Sequence, residues 1–132
     1  LRGKLAMLSL TLPVLQAWKG VRMKDASQKL SLVAFLHARP GQEQELGRRL
    51  LALVEHSRAE AGCINYDVHQ SDQDPALFVM YENWTSRAAL DLHFTMPYMR
   101  DIVADLPALL RAPFEMHYLS MRSQPATPAS RA

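Results

Sequence analysis

The chain is short of several things, and each shortage closes a possibility. One cysteine, Cys63, stands among 132 residues, so no internal disulfide can form, and the scattered histidines give it no metal-ligand spacing. A lone thiol suits a reducing, cytoplasmic setting. An excess of one charge is also lacking. The 15 basic and 13 acidic residues are mixed along the chain, and the net charge of +2 comes with no basic block, so a nucleic-acid footprint is not expected. No apolar run is long enough to span a bilayer. No internal repeat is visible.

What is present is one domain's worth of chain, with the 48% hydrophobic and 21% charged residues of an ordinary globular protein. Residues 1–27 stand apart as an N-terminal accessory extension. Arg2 and Lys4 ahead of an apolar stretch resemble the start of a secretory signal, but no small-x-small cleavage site follows. Leu1, Leu5, Leu8, Leu12 and Leu15 alternate at spacings of four and three, which also fits an amphipathic helix kinked or ended by Pro13. A start at Met23 is a third reading, and export ranks last.

The core spans residues 28–121. Leu30 to Ala38 reads as a strand buried on both faces, with Pro40-Gly41 punctuating it. From Gln42 to Ala61, Leu46, Leu50, Leu53, Val54 and Ser57 trace one helical face, and Gly62 suits the C-terminal cap. Cys63 to Gln70 and Ala76 to Trp84 form a hairpin around Ser71–Pro75. Thr85 or Ser86 caps a helix running to about Phe94, and Pro97 opens another that ends near Leu110. Pro113 to Met121 is a last strand with Phe114, Met116 and Tyr118 on one face; residues 122–132 are a polar, proline-bearing disordered tail.

Four strands with helices segregated to one face predict an α+β, ferredoxin-like fold with an antiparallel sheet. Leu32, Ala34 and Leu36 are apolar, and so are Val33 and Phe35 between them. Helices cover only one side of such a sheet. The simplest second cover is another copy of the chain, which predicts a homodimer.

At this point the residues resemble a known family. Pro40-Gly41, Glu60-Ala61-Gly62-Cys63-Ile64-Asn65-Tyr66, Tyr81-Glu82-Asn83-Trp84, Ala89-Leu90 with His93, and Thr95-Met96-Pro97-Tyr98-Met99 are similar to the antibiotic biosynthesis monooxygenase domain, closest to small bacterial quinol monooxygenases. The resemblance covers about residues 28–121. It implies a dimeric α/β-barrel and oxidation of a small quinol or phenol by O2 without flavin or metal. Relatives on this scaffold degrade haem or isomerise a small phosphorylated sugar derivative, so fold does not settle reaction. Two departures stand out. Met80 replaces an asparagine that some quinone-forming members carry, which weighs against a polyketide-anthrone role. No asparagine lies between Leu30 and Ala38 and no histidine in the helix after Pro97, which weighs against haem degradation.

His93 is the candidate catalytic group, since a neutral imidazole accepts a phenolic proton near neutral pH. The competing reading is a half-buried helix histidine bonded to backbone. Trp84 is a candidate wall for a flat ligand, or simply core. Glu82 shares its sheet face and either orients the histidine or pairs with a surface cation. Tyr66 offers a hydroxyl, His37 a place at the pocket mouth, and Met99 a soft apolar lining, with Met80, Met96 and Met116 alongside. Asn83 points the other way. His56, His69 and His117 show no partner pattern. An isomerase of a small carbonyl compound and a non-catalytic ligand-binding dimer are the alternatives.

Overall fold

A computed structural model describes residues 28–126. The expectations for residues 1–27 lie outside the described residues, as does the tail beyond residue 126. Residues 122–126 are exposed and carry neither helix nor strand.

The elements follow in the order β1 (Leu30–His37), α1 (Glu43–Leu51), α2 (Val54–Arg58), β2 (Cys63–Gln70), β3 (Leu77–Trp84), α3 (Arg87–Thr95), α4 (Pro97–Leu109) and β4 (Glu115–Leu119). The strands form one sheet in the order β2-β3-β1-β4, with every neighbouring pair antiparallel. This is the ferredoxin-like arrangement. Among the described residues no helix is long and apolar enough to cross a membrane.

Strand alternation decides the core. On β1, Leu30, Leu32, Ala34 and Leu36 are buried and pair across to Trp84, Glu82, Met80 and Phe78 of β3. Leu46, Leu50, Ile102, Val103 and Leu106 from the helices close over that face. Each fully buried leucine contributes roughly 1.5–3 kcal/mol through removal of apolar surface from water, so this face carries most of the stability.

Among the described residues no helix covers the opposite face. Val33, Phe35 and Val79 are half-buried there, and Tyr81 and Leu119 are exposed. At one end runs a polar ladder. Ser31 donates to Asn83 Oδ1, Asn83 Nδ2 to Asn65 Oδ1 at 2.8 Å, and Asn65 Nδ2 to Asp67 Oδ2 at 3.0 Å. Asn83 thus sits on the open face, as alternation requires.

Two details differ from the sequence reading, and one open choice is resolved. The helix expected over 42–61 is divided at Ala52-Leu53 into α1 and α2, although Leu46, Leu50, Leu53 and Ser57 still bury one face. Gly62 is not a left-handed cap. The one described glycine with positive φ is Gly41, at +86°, in the turn after Pro40. Glycine is needed at 62 for closeness instead, because a Cβ there would stand 2.3 Å from the Ala89 Cβ. Of the two candidate caps, Ser86 is the one used: its extended backbone precedes α3 and its hydroxyl accepts from the Ala89 N–H at 3.1 Å.

Candidate functional site

Period-two alternation on β3 turns Phe78, Met80, Glu82 and Trp84 toward the helices. Immediately after Trp84 the chain reverses through Thr85, whose N–H donates to the Gly62 carbonyl at 2.8 Å, and enters α3. Leu90 and His93, three residues apart, share the buried face of that helix. The short path from strand end to helix face brings the indole of Trp84 and the imidazole of His93 together, ring centroids 4.5 Å apart. Tyr66 of β2 completes an aromatic cluster, 5.4 Å from the His93 ring and 6.4 Å from that of Trp84.

His93 is 1% exposed and held by one strong partner. Its Nδ1 lies 2.7 Å from Glu60 Oε2, which also accepts from the Tyr98 hydroxyl. An ionised carboxylate only accepts, so Nδ1 carries the proton and Nε2 is left with a bare lone pair. That Nε2 is buried and has no hydrogen-bond partner. Burial, outweighing the adjacent Glu60 carboxylate, holds the imidazole below its ordinary pKa and therefore neutral at pH 7. Burial and the bond to Glu60 push the Tyr98 phenol far up, so it stays protonated. Tyr98 also stacks on His56, centroids 5.0 Å apart.

The hollow beside this cluster holds about 50 Å³. Its wall is made by apolar side chains of β1, the helices and β4, among them Leu36, Phe94, Met99 and Met116. Two polar residues join them, Tyr66 and Glu82. Glu82 is buried, and its Oε1 accepts from Trp84 Nε1 at 2.9 Å. Burial, offset only in part by that bond, raises the Glu82 carboxyl to about 7. Tyr66 is pushed well above its usual value by burial and by the nearby Glu82.

Glu82, Tyr66 and Met99 are thus brought to the cavity wall. Trp84 and His93 pack against each other and are not among the residues of that wall. His37 is not brought to the cavity: it lies on the open sheet face, where Arg111 Nη2 donates to its Nδ1 at 3.1 Å. Odd-numbered residues of β1 all point that way, which alternation from Leu32 already fixes. Cys63 is partly buried, its thiol raised to about 11 mainly by burial, so it is no ready nucleophile. Among the described residues no group of three His, Cys, Asp or Glu could hold a metal ion.

Sequence reasoning assigned no role to Glu60 or Tyr98, the two partners at the far side of His93. Thirty-three residues separate Glu60 from His93. Both stand within motifs that carry the family resemblance, and a further sequence trace of their meeting is Gly62, whose bare Cα lets the α2–β2 turn lie against Ala89 of α3.

Comparison with known proteins gives a consistent picture. The family described as "Antibiotic biosynthesis monooxygenase" matches residues 30–105. A Synechocystis sp. protein described as "Uncharacterized protein sll1783" is 32% identical over 94 residues, 71% of this chain and 64% of the relative, so the chain spans just under two thirds of that protein. The Bacillus subtilis protein "Putative monooxygenase YcnE" is 33% identical over 85 residues, 64% of this chain and 90% of the relative. Among solved structures, PA3566 from Pseudomonas aeruginosa superimposes with a TM-score of 0.70 at 38% identity, covering 75% of this chain and 99% of that one.

Proposed function

The chain belongs to the antibiotic biosynthesis monooxygenase family, and from that premise we propose that it oxidises a small quinol or phenolic aromatic with O2, without a flavin or metal. The observation that carries this reading is the cavity: an apolar hollow with one carboxylate and one phenol on its wall. Such a lining suits a flat ring with one or two hydroxyl groups. It offers a charged or strongly polar ligand almost nothing.

In this reading the substrate supplies the electrons. A deprotonated quinol is electron-rich enough to reduce O2 directly; one oxygen atom is retained on the ring and the other leaves as water. In the simplest case a benzoquinol and O2 give a hydroxybenzoquinone and water. The ring gains one oxygen and gives up two hydrogens, which depart with the other oxygen, and no outside reductant is needed. His93 serves by position: Glu60 pins its ring, and the ring backs the Trp84 indole that bonds Glu82. The protein works as a symmetric pair, the apolar open face of one sheet covering that of the other.

Size sets a condition. A cavity of about 150 Å³ accommodates benzene in a protein core, and the hollow here is about 50 Å³. A ring therefore enters only as wall side chains give way, and the unbranched Met99 and Met116 are the ones best able to do so.

The test is O2 consumption with a panel of reduced quinones. At least one quinol is expected to be turned over, with His93→Ala lowering the rate tenfold or more. Turnover of no quinol defeats the oxygenase assignment, and an unchanged rate in the variant removes His93 from it. A carbonyl isomerase on the same scaffold would run equally well without O2.

A further inference from the structure

We propose that Glu82 is the catalytic proton acceptor of this site, taking the hydroxyl proton of the bound phenol on the carboxylate oxygen that its bond to Trp84 leaves open. The inference deepens the oxygenase reading and rests on it for its substrate class.

Position singles out Glu82. Glu82 is the one carboxylate on the cavity wall, while His93, the obvious base from the sequence, is not part of that wall. The lone pair on His93 Nε2 is sealed among side chains and meets no hydrogen-bond donor. Glu82 Oε1 is occupied by the Trp84 indole at 2.9 Å, and no described residue donates to Oε2. A phenol lying in the apolar hollow with its hydroxyl toward Oε2 would meet an oxygen to which no described residue donates.

No neighbouring group can take the proton instead. The groups around Glu82 are Tyr66 and Cys63 on β2, Tyr118 on β4, Glu60 after α2, and His93 on α3 behind the indole; the α4 residues facing the cavity, Met99, Ile102, Val103 and Leu106, carry no titratable group. The Tyr66 phenol is pushed well above 10, Cys63 to about 11 and Tyr118 to about 12, so none takes a proton at neutral pH. Glu60 is engaged by His93 and Tyr98. Glu82, raised to about 7 by burial, is divided between its two forms at the working pH, as an effective general base should be.

The step is a plain proton transfer. The phenolic O–H bond breaks, its electron pair stays on the phenolate oxygen, and a new O–H bond forms at Glu82 Oε2. The uncharged acid beside the phenolate then avoids two buried anions in one small space. O2 is the oxidant in the steps that follow.

Binding tests the assignment independently of turnover. Calorimetry of phenol itself at pH 7, in two buffers of different ionisation enthalpy, counts protons exchanged with solution. Since Glu82 must be ionised to accept, the parent is expected to release about half a proton, given a carboxyl near 7. Its affinity should fall toward tenfold per pH unit below that point. Glu82→Gln, which keeps an oxygen for the Trp84 N–H, is expected to exchange no protons and to bind with no pH dependence between 5 and 8. Glu82→Met, which also lacks a titrating carboxyl, repeats the comparison if the amide variant does not fold. With any quinol that is turned over, Glu82→Gln should lose a hundredfold or more in kcat and flatten the acidic limb of kcat/KM. Phenol bound without proton release, with matching pH curves in parent and variant, overturns the assignment of Glu82 whatever the turnover. Proton release with no quinol oxidised overturns the oxygenase reading and leaves Glu82 at the hydroxyl. Phenol that fails to bind at millimolar concentration overturns both.

Discussion

Two buried titratable side chains, Glu82 and His93, dominate the chemistry at the scale of single residues, and their burial acts on stability with opposite signs. Glu82 titrates near 7 when folded and near 4.5 when unfolded. Between those values the folded chain holds a proton that the unfolded chain has released, so this contribution falls as pH rises and is gone above about 7. His93 is shifted down, so the unfolded chain gains a proton near pH 6.5 that the folded one refuses, and stability falls as pH drops through that region. Comparing variant with parent isolates the first effect. Glu82→Gln is expected to raise the unfolding free energy at pH 8 by up to about 3 kcal/mol and to change it little at pH 4.5, read from urea denaturation at the two pH values. Equal effects at both would mean that the carboxyl is not perturbed by burial. Part of this was legible beforehand. Alternation from Trp84 puts Glu82 on the helix-facing side of β3, and the helix period puts His93 on the buried side of α3. Which of the two reaches the cavity was not legible, because that depends on how a carboxylate, an indole and an imidazole stack in depth.

At the scale of elements, β1, β2 and β3 are legible to within a residue at each end and β4 to within two, because each is bounded by proline, glycine or a polar turn and each alternates. The helices were harder. The apolar face over 42–61 continues unbroken through Ala52-Leu53, so nothing in its spacing marks the division between α1 and α2. Gly62 shows the same limit: the sequence marks a glycine at a helix end, and only packing reveals that its missing side chain seats α3. Gly62→Ala should therefore destabilise by about 1–3 kcal/mol through overpacking against Ala89. Ala89→Gly in the same chain should recover part of that loss in thermal melts, and no recovery would place the cost elsewhere. At the start of α3, Ser86→Ala removes the hydroxyl that accepts from Ala89 N–H. A loss of about 1 kcal/mol is expected by denaturant titration, with Ser86→Asp close to the parent.

Across the whole molecule, the proposed pairing rests on the open face of the sheet. One face is closed by helices and holds the cavity; the other presents Val33, Phe35, Val79, Tyr81 and Leu119 beside the ladder of Ser31, Asn83 and Asn65. Sedimentation at micromolar concentration is expected to give twice the chain mass. Phe35→Glu, which places a charge in the middle of that face, should halve it while leaving each fold intact by far-UV circular dichroism. A parent chain that sediments as a stable monomer would contradict the pairing.

The proposed reaction requires a phenolic ring to be oxidised in the hollow beside Glu82 at its own expense, by O2 alone. Isotopically labelled O2 tests this most directly, with a quinol, purified protein and no added reductant. The prediction is a hydroxyquinone carrying one labelled oxygen, with the second label in water and one O2 consumed per product. A quinol returned without label, or product formed equally well when O2 is excluded, would contradict it.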